Sequence, residues 1–173
     1  MTRIHTSTLC AAALLALLLL PLAGCAPAPA VNPPPEPVAQ PEPEPILITE
    51  VNLDDLFAPG LPVILNFGDS SPESAATLAA LERINATYGD KVLIRSADLS
   101  QNPDAREGFP VQIVPSQFFY AAGGEPIPLL VNIGIPVSSF LAVDTEEPVF
   151  TAHEGPLTEE ELLVILENMS VSQ

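Results

Sequence analysis

The chain has 173 residues, with 22 acidic against 5 basic side chains and a formal net charge of −17. That balance argues against nucleic acid as a partner and against lying on anionic lipid, because both reward Lys and Arg. It suits solubility outside a cell or in a salty medium, and it names no substrate.

Arg3 and His5 precede an apolar run from about Leu9 to Leu20. The run is too short for a spanning helix and ends in small residues, so residues 1–24 read as a secretory signal. Leu22-Ala23-Gly24-Cys25 resembles the bacterial lipobox at all four positions. In proteins with that pattern the cysteine sulfur takes a diacylglycerol and the leader is removed. A plain signal peptide that happens to contain a cysteine is the bland alternative. Two or three acyl chains give the stable anchoring that one chain does not. The resemblance therefore implies an extracytoplasmic protein on a bacterial membrane, with lipid as a partner through acylated Cys25. The other cysteine, Cys10, falls in the leader. A processed chain would then have no free thiol and no internal disulfide. It would keep one histidine, His153, which excludes a zinc centre of His and Cys. No metal and no cofactor is expected.

Residues 25–45 join this cysteine to a Pro-rich stretch, "APAPAVNPPPEPVAQPEPEP". Prolines deny it ladder hydrogen bonds and favour an extended form, so it reads as a spacer rather than a ligand for a recognition module. Residues 46–173 suffice for one domain with one core.

Within the domain, Ile46–Val51 reads as a strand and Leu53–Phe57 as a short helix. "PVILNF" (Pro62–Phe67) is a continuous apolar run, which fits a central strand covered on both faces. A helix follows over Pro72–Tyr88, with Leu78, Leu81, Ile84 and Tyr88 as its buried stripe and Gly89 as its stop. Lys91–Leu99 reads as a strand. Asn102 and Pro103 can open a short helix in "NPDAREGF". Pro115–Ala121 is an aromatic-rich strand, Gly123-Gly124 a hairpin turn, and Glu147–His153 a partner strand. Thr158 and Glu161 form a capping box for a last helix whose Leu162, Leu163 and Leu166 face inward. An early parallel part followed by a hairpin and a closing helix makes a three-layer α/β sandwich with a mixed sheet.

With that order in hand, the chain resembles thioredoxin. The match runs through "PVILNF", "ERINATYGDKVLI", "ADLSQNPDAREGFPVQIVPS", "QFFYAAGGEPI" and "VFTAHEGPLTEEELLVILENM". It is most like the envelope-anchored bacterial thioredoxin-like proteins, and residues of about 128–147 read as an insertion in the β-hairpin. The resemblance places the two redox cysteines of the family on Ser71 and Ser74, so the motif stands as Ser71-Pro72-Glu73-Ser74, after a loop one residue short. Disulfide exchange requires a thiolate attacking sulfur, and a serine offers neither. As a helix start the same residues are well chosen: Ser71 as N-cap, Pro72 at the first position and Glu73 as first-turn charge. The family's buried acid is replaced by Asn66, which cannot take a proton, and its basic residue after the second cysteine by Ala75. Val114-Pro115 keeps the family's cis-proline position, with Ser116 after it. There the resemblance implies an edge that holds an extended peptide by backbone hydrogen bonds. Gly155 matches a glycine packed beneath that groove.

Two classes of function follow. One is a redox-inactive module that binds a peptide or envelope protein in the groove around Ser71, Pro115 and the hairpin insertion, with Val114, Pro115 and Ser116 as the binding residues. The other, which the family implies, is a thiol-disulfide oxidoreductase retaining some redox role. Hydrolysis by Ser71 or Ser74 with His153 lacks a nucleophile elbow, and strand alternation places His153 as easily on a solvent face. The acidic "DTEE" and "TEEE" runs lack the spacing of a calcium loop.

Overall fold

The computed structural model describes residues 44–127 and 133–169. The signal segment, Cys25, most of the Pro-rich stretch and the first residues of the insertion lie outside them. Six strands form one sheet: β1 (Leu47–Ile48), β2 (Val63–Gly68), β3 (Leu93–Asp98), β4 (Ser116–Tyr120), β5 (Ser138–Leu141) and β6 (Pro148–Glu154). Their order across the sheet is β1-β3-β2-β4-β6-β5. β2 pairs in parallel with β3 and antiparallel with β4, and β4 with β6 antiparallel. The mixed sheet expected from the sequence is thus present.

The continuous apolar run of β2 is explained by its position. Every residue from Val63 to Gly68 is buried, because both faces are covered. One face carries α2 (Pro72–Tyr88) and α3 (Glu159–Asn168) over Ile64, Ile94 and Phe119. The other is closed by the five-residue α1 (Leu53–Phe57), a 3-10 turn at Pro103–Arg106 and a set of rings. Phe118 meets Phe67, Phe109 and Phe150 edge-on at centroid distances of 5.6, 5.2 and 5.6 Å. Aromatic bulk does here what a long helix does on the opposite face.

Several local expectations are corrected. The first strand pairs only at Leu47 and Ile48, not over Ile46–Val51. Asn102 makes no side-chain cap, and its segment is a 3-10 turn. Gly123-Gly124 does turn the chain, with both φ angles positive, and a Cβ on Gly124 would lie 2.5 Å from the Phe57 ring. That turn leads into the insertion rather than straight to β6. The insertion supplies β5, which adds a sixth, outer strand beside β6. In α3 the buried residues are Leu162, Ile165 and Leu166, while Leu163 is only partly covered.

The α2/α3 face changes character along the strands. Ile94, Ile64 and Phe119 lie opposite one another in one apolar row. Two residues further on, Ser96, Asn66, Gln117 and His153 form a second row across four strands. All four are buried. Asn66 joins the row, donating from Nδ2 to Ser96 Oγ at 2.8 Å and accepting from Gln117 Nε2 at 2.9 Å.

Two stability predictions follow. Asn66→Ala strands both Ser96 and Gln117 and is expected to lower the unfolding free energy by about 1–3 kcal/mol, measured by urea denaturation. Thr158 N–H and Oγ1 both bond Glu161 Oε2 at 2.8 Å, completing the capping box. Thr158→Ala should cost about 1 kcal/mol and lower Tm by about 3–5 °C in calorimetry.

Candidate functional site

α2 begins where the sequence places it. Ser71 is the N-cap with extended backbone, and its Oγ accepts from Ser74 N at 3.2 Å. Pro72 occupies the first turn, where a missing N–H costs nothing. Ser71 is half-buried, Pro72 and Glu73 are exposed, and Ser74 is 3 % exposed.

Asp69, which no sequence pattern singled out, organises this turn. Its Oδ1 accepts from Ser71 N at 3.0 Å and from Ser74 Oγ at 2.7 Å. Ser74 Oγ in turn accepts from Asp69 N at 3.1 Å and from Ser71 Oγ at 3.0 Å. A hydroxyl has one proton and two lone pairs, so Ser74 Oγ is fully used. The Ser71 and Ser74 hydroxyls, then the Ser71 N–H, hold the Asp69 carboxyl below its ordinary range. A carboxylate so stabilised is a weaker base, so it orders the serines without activating them.

Asn66 sits under Ser74 on β2 with both ends of its amide engaged, as described above. Beyond it the row is incomplete. Among the described residues, Gln117 Oε1 and His153 Nε2 are buried without a partner. His153 is a correction: it is 6 % exposed, not on a solvent face. Its Nδ1 lies 2.7 Å from the Pro136 carbonyl, so that nitrogen carries the proton that is donated. Thr151, on the same face of β6, donates to the Ile127 carbonyl. These two side chains tie Ile127, just before the insertion, and Pro136, within it, to β6. His153 makes no hydrogen bond to Ser71 or Ser74 among the described residues, and the serine–histidine hydrolase arrangement is not assembled.

The Val114-Pro115 peptide bond is cis. The register Phe67↔Ser116 brings it alongside the exit of β2, at the same end of the sheet as Ser71. Pro115 O accepts from Gly155 N at 2.8 Å, and Gly155 has a φ of +119°, where a side chain would be strained. Ser116 is buried, with its hydroxyl donated to the Ile113 carbonyl. Val114 is half-buried, and its N–H and C=O take no backbone partner among the described residues. Ile113 beside it is 54 % exposed. Of the three residues expected at this edge, Val114 is the one with backbone groups to offer.

Among the described residues, no group of His, Cys, Asp and Glu is arranged to hold a metal ion. Likewise, none of their helices is long and apolar enough to cross a membrane.

Sheet order, cis-proline turn and helix start together define a thioredoxin-like α/β domain. Solved structures agree. The chain is similar to the thioredoxin Mala s 13 of Malassezia sympodialis, at 14 % identity and a TM-score of 0.50, covering 72 % of this chain and 89 % of that one. It is similar also to chloroplastic thioredoxin z, at 16 % identity and a TM-score of 0.51, covering 73 % and 94 %. No protein-family model matches the chain, and no curated protein sequence does.

The Asp69 cluster makes a pH prediction. A pKa lowered in the folded state contributes stability above the unfolded value of about 4, and that stability fades as pH falls through the folded value. In an NMR titration the Asp69 carboxyl should titrate below the ordinary aspartate value of about 4. In the Ser71→Ala/Ser74→Ala chain its midpoint should move up toward that value; an unchanged midpoint would refute the cluster.

Proposed function

We propose that this protein is a membrane-anchored, extracytoplasmic thioredoxin-fold module that binds an extended peptide or envelope protein and exchanges no disulfides. The observation that carries the reading is the state of the motif. Serines stand at both sulfur positions, and their hydroxyls are consumed by each other and by Asp69. No electron pair there can attack a disulfide sulfur and leave again as a thiolate. Asn66, bonded to Ser96 and Gln117, offers no proton relay.

Binding is supported on the other side of the turn. Val114 has open backbone groups in the bend just before β4, with exposed Ile113 next to it. An extended peptide can add to such an edge by main-chain hydrogen bonds and seat a side chain on the apolar neighbour. The lipobox-like Leu22-Ala23-Gly24-Cys25 supports the anchor, with the Pro-rich stretch as the spacer that holds the domain off the bilayer. A place beside envelope thiol-redox or protein-maturation pathways fits a scaffold of this type without its sulfur.

Two measurements test this. With dithiothreitol, the chain should reduce insulin disulfides no faster than the uncatalysed reaction; acceleration would restore the oxidoreductase reading. A photocrosslinker at exposed Ile113 should capture a discrete partner in the native envelope, and one at exposed Glu82 on α2 should not. Identical products from both positions would remove the peptide-edge reading.

A further inference from the structure

A cavity of about 400 Å³ opens on the opposite side of the α2 start from Val114. It lies against β1 and over the C-terminal ends of the parallel strands β3 and β2, a region that α2 does not cover. Its volume is within the range of about 300–1,000 Å³ typical of small-molecule sites. The carboxyl ends of parallel strands are also where open α/β sheets take ligands.

The lining is amphipathic. Leu47, Ala75 and Leu78 give an apolar wall. Asn66 and Ser96, 1 % and 3 % exposed, form a polar floor already ordered by their mutual hydrogen bond. The charged residues on the rim are Asp69 and Asp98, and no lysine or arginine lines the cavity. The register Gly68↔Asp98 sets these carboxylates at the ends of neighbouring strands, and strands lie about 5 Å apart. Ser70 N–H reaches Ser100 Oγ at 2.9 Å and binds the two strand exits together. Helix starts ordinarily favour anions, but here Asp69 and Ser71 already take up N–H groups at this one. What faces the cavity is acceptor-rich and negative, with hydrocarbon behind it.

We propose that this cavity binds a small organic cation with an apolar body, its ammonium between Asp69 and Asp98 and its hydrocarbon against Leu47 and Leu78. An ammonium bonded to carboxylates at the mouth of a half-closed cavity keeps partial hydration, while the apolar part leaves water. The site does not depend on the Val114 edge, which lies on the β4 side of β2. Peptide binding there and cation binding here therefore stand or fall separately.

The test is titration of the full chain with 2-phenylethylammonium, followed by amide chemical shifts. Saturable shifts are expected at Leu47, Leu78 and Ser96. The uncharged 2-phenylethanol, of similar shape, should bind about tenfold or more weakly. Asp98→Asn should weaken the amine by about tenfold and leave the alcohol unchanged. Ala75→Phe, reaching into the cavity from an exposed helix position, should abolish binding of the amine while leaving the Ile113 crosslink in place. Equal affinity for amine and alcohol would overturn the proposal. So would shifts spread over the acidic surface and lost on adding salt, or no saturable shift at all.

Discussion

A side-chain amide in a protein interior must find partners, and Asn66 shows how far that requirement propagates. It lies at the centre of the central strand, 1 % exposed, where the surrounding positions are aliphatic or aromatic. Its two polar ends draw in Ser96 from one neighbouring strand and Gln117 from the other. Gln117 in turn lies opposite His153. One buried polar residue is thus accompanied by a row of them, each on a different strand. Shifting any of these strands by one residue would turn its member of the row to the aromatic face and leave polar groups without partners. The row therefore fixes register at the end of the sheet where α2 begins, as the Ile94–Ile64–Phe119 row does by packing in the middle.

Above this row the start of α2 closes two hydroxyls and a carboxylate upon one another. Oxygen serves the capping role well, since it is a compact and strong acceptor. Helix termination alone accounts for the bond that Ser71 Oγ accepts from Ser74 N. What remains accessible at this end is backbone at Val114 and a cavity on the far side of β2.

The main elements were legible because their signals are local. The two-sided burial of β2 shows in an unbroken apolar run, α2 in its N-cap and stop, and α3 in its capping box. The motif positions and the cis proline were read through resemblance, and the structure brings them to one end of the sheet. What escaped is what depends on long-range placement. His153 in "TAHEG" alternates with alanine and glutamate, a pattern that does not say which face is covered. It is buried because the insertion folds back over β6 and presents the Pro136 carbonyl to it. β5 escaped for a related reason: Ser138–Leu141 has little strand character of its own and is a strand because β6 is there to pair with. Asp69 looked like ordinary loop polarity, and only the folded turn shows that its carboxylate meets both serines.

The added outer strand has a consequence for how copies of the domain meet. A sheet's exposed margin can recruit a neighbour's backbone, and long flat margins do so readily. Here one margin is β1, two residues long, and the other is β5, four residues long with its register broken between Phe140 and Leu141. Opposite that break stands Pro148, which has no N–H to continue a ladder. Among the described residues neither side presents a template long enough for strand-by-strand stacking, so copies that meet along these margins are not zipped into a common sheet.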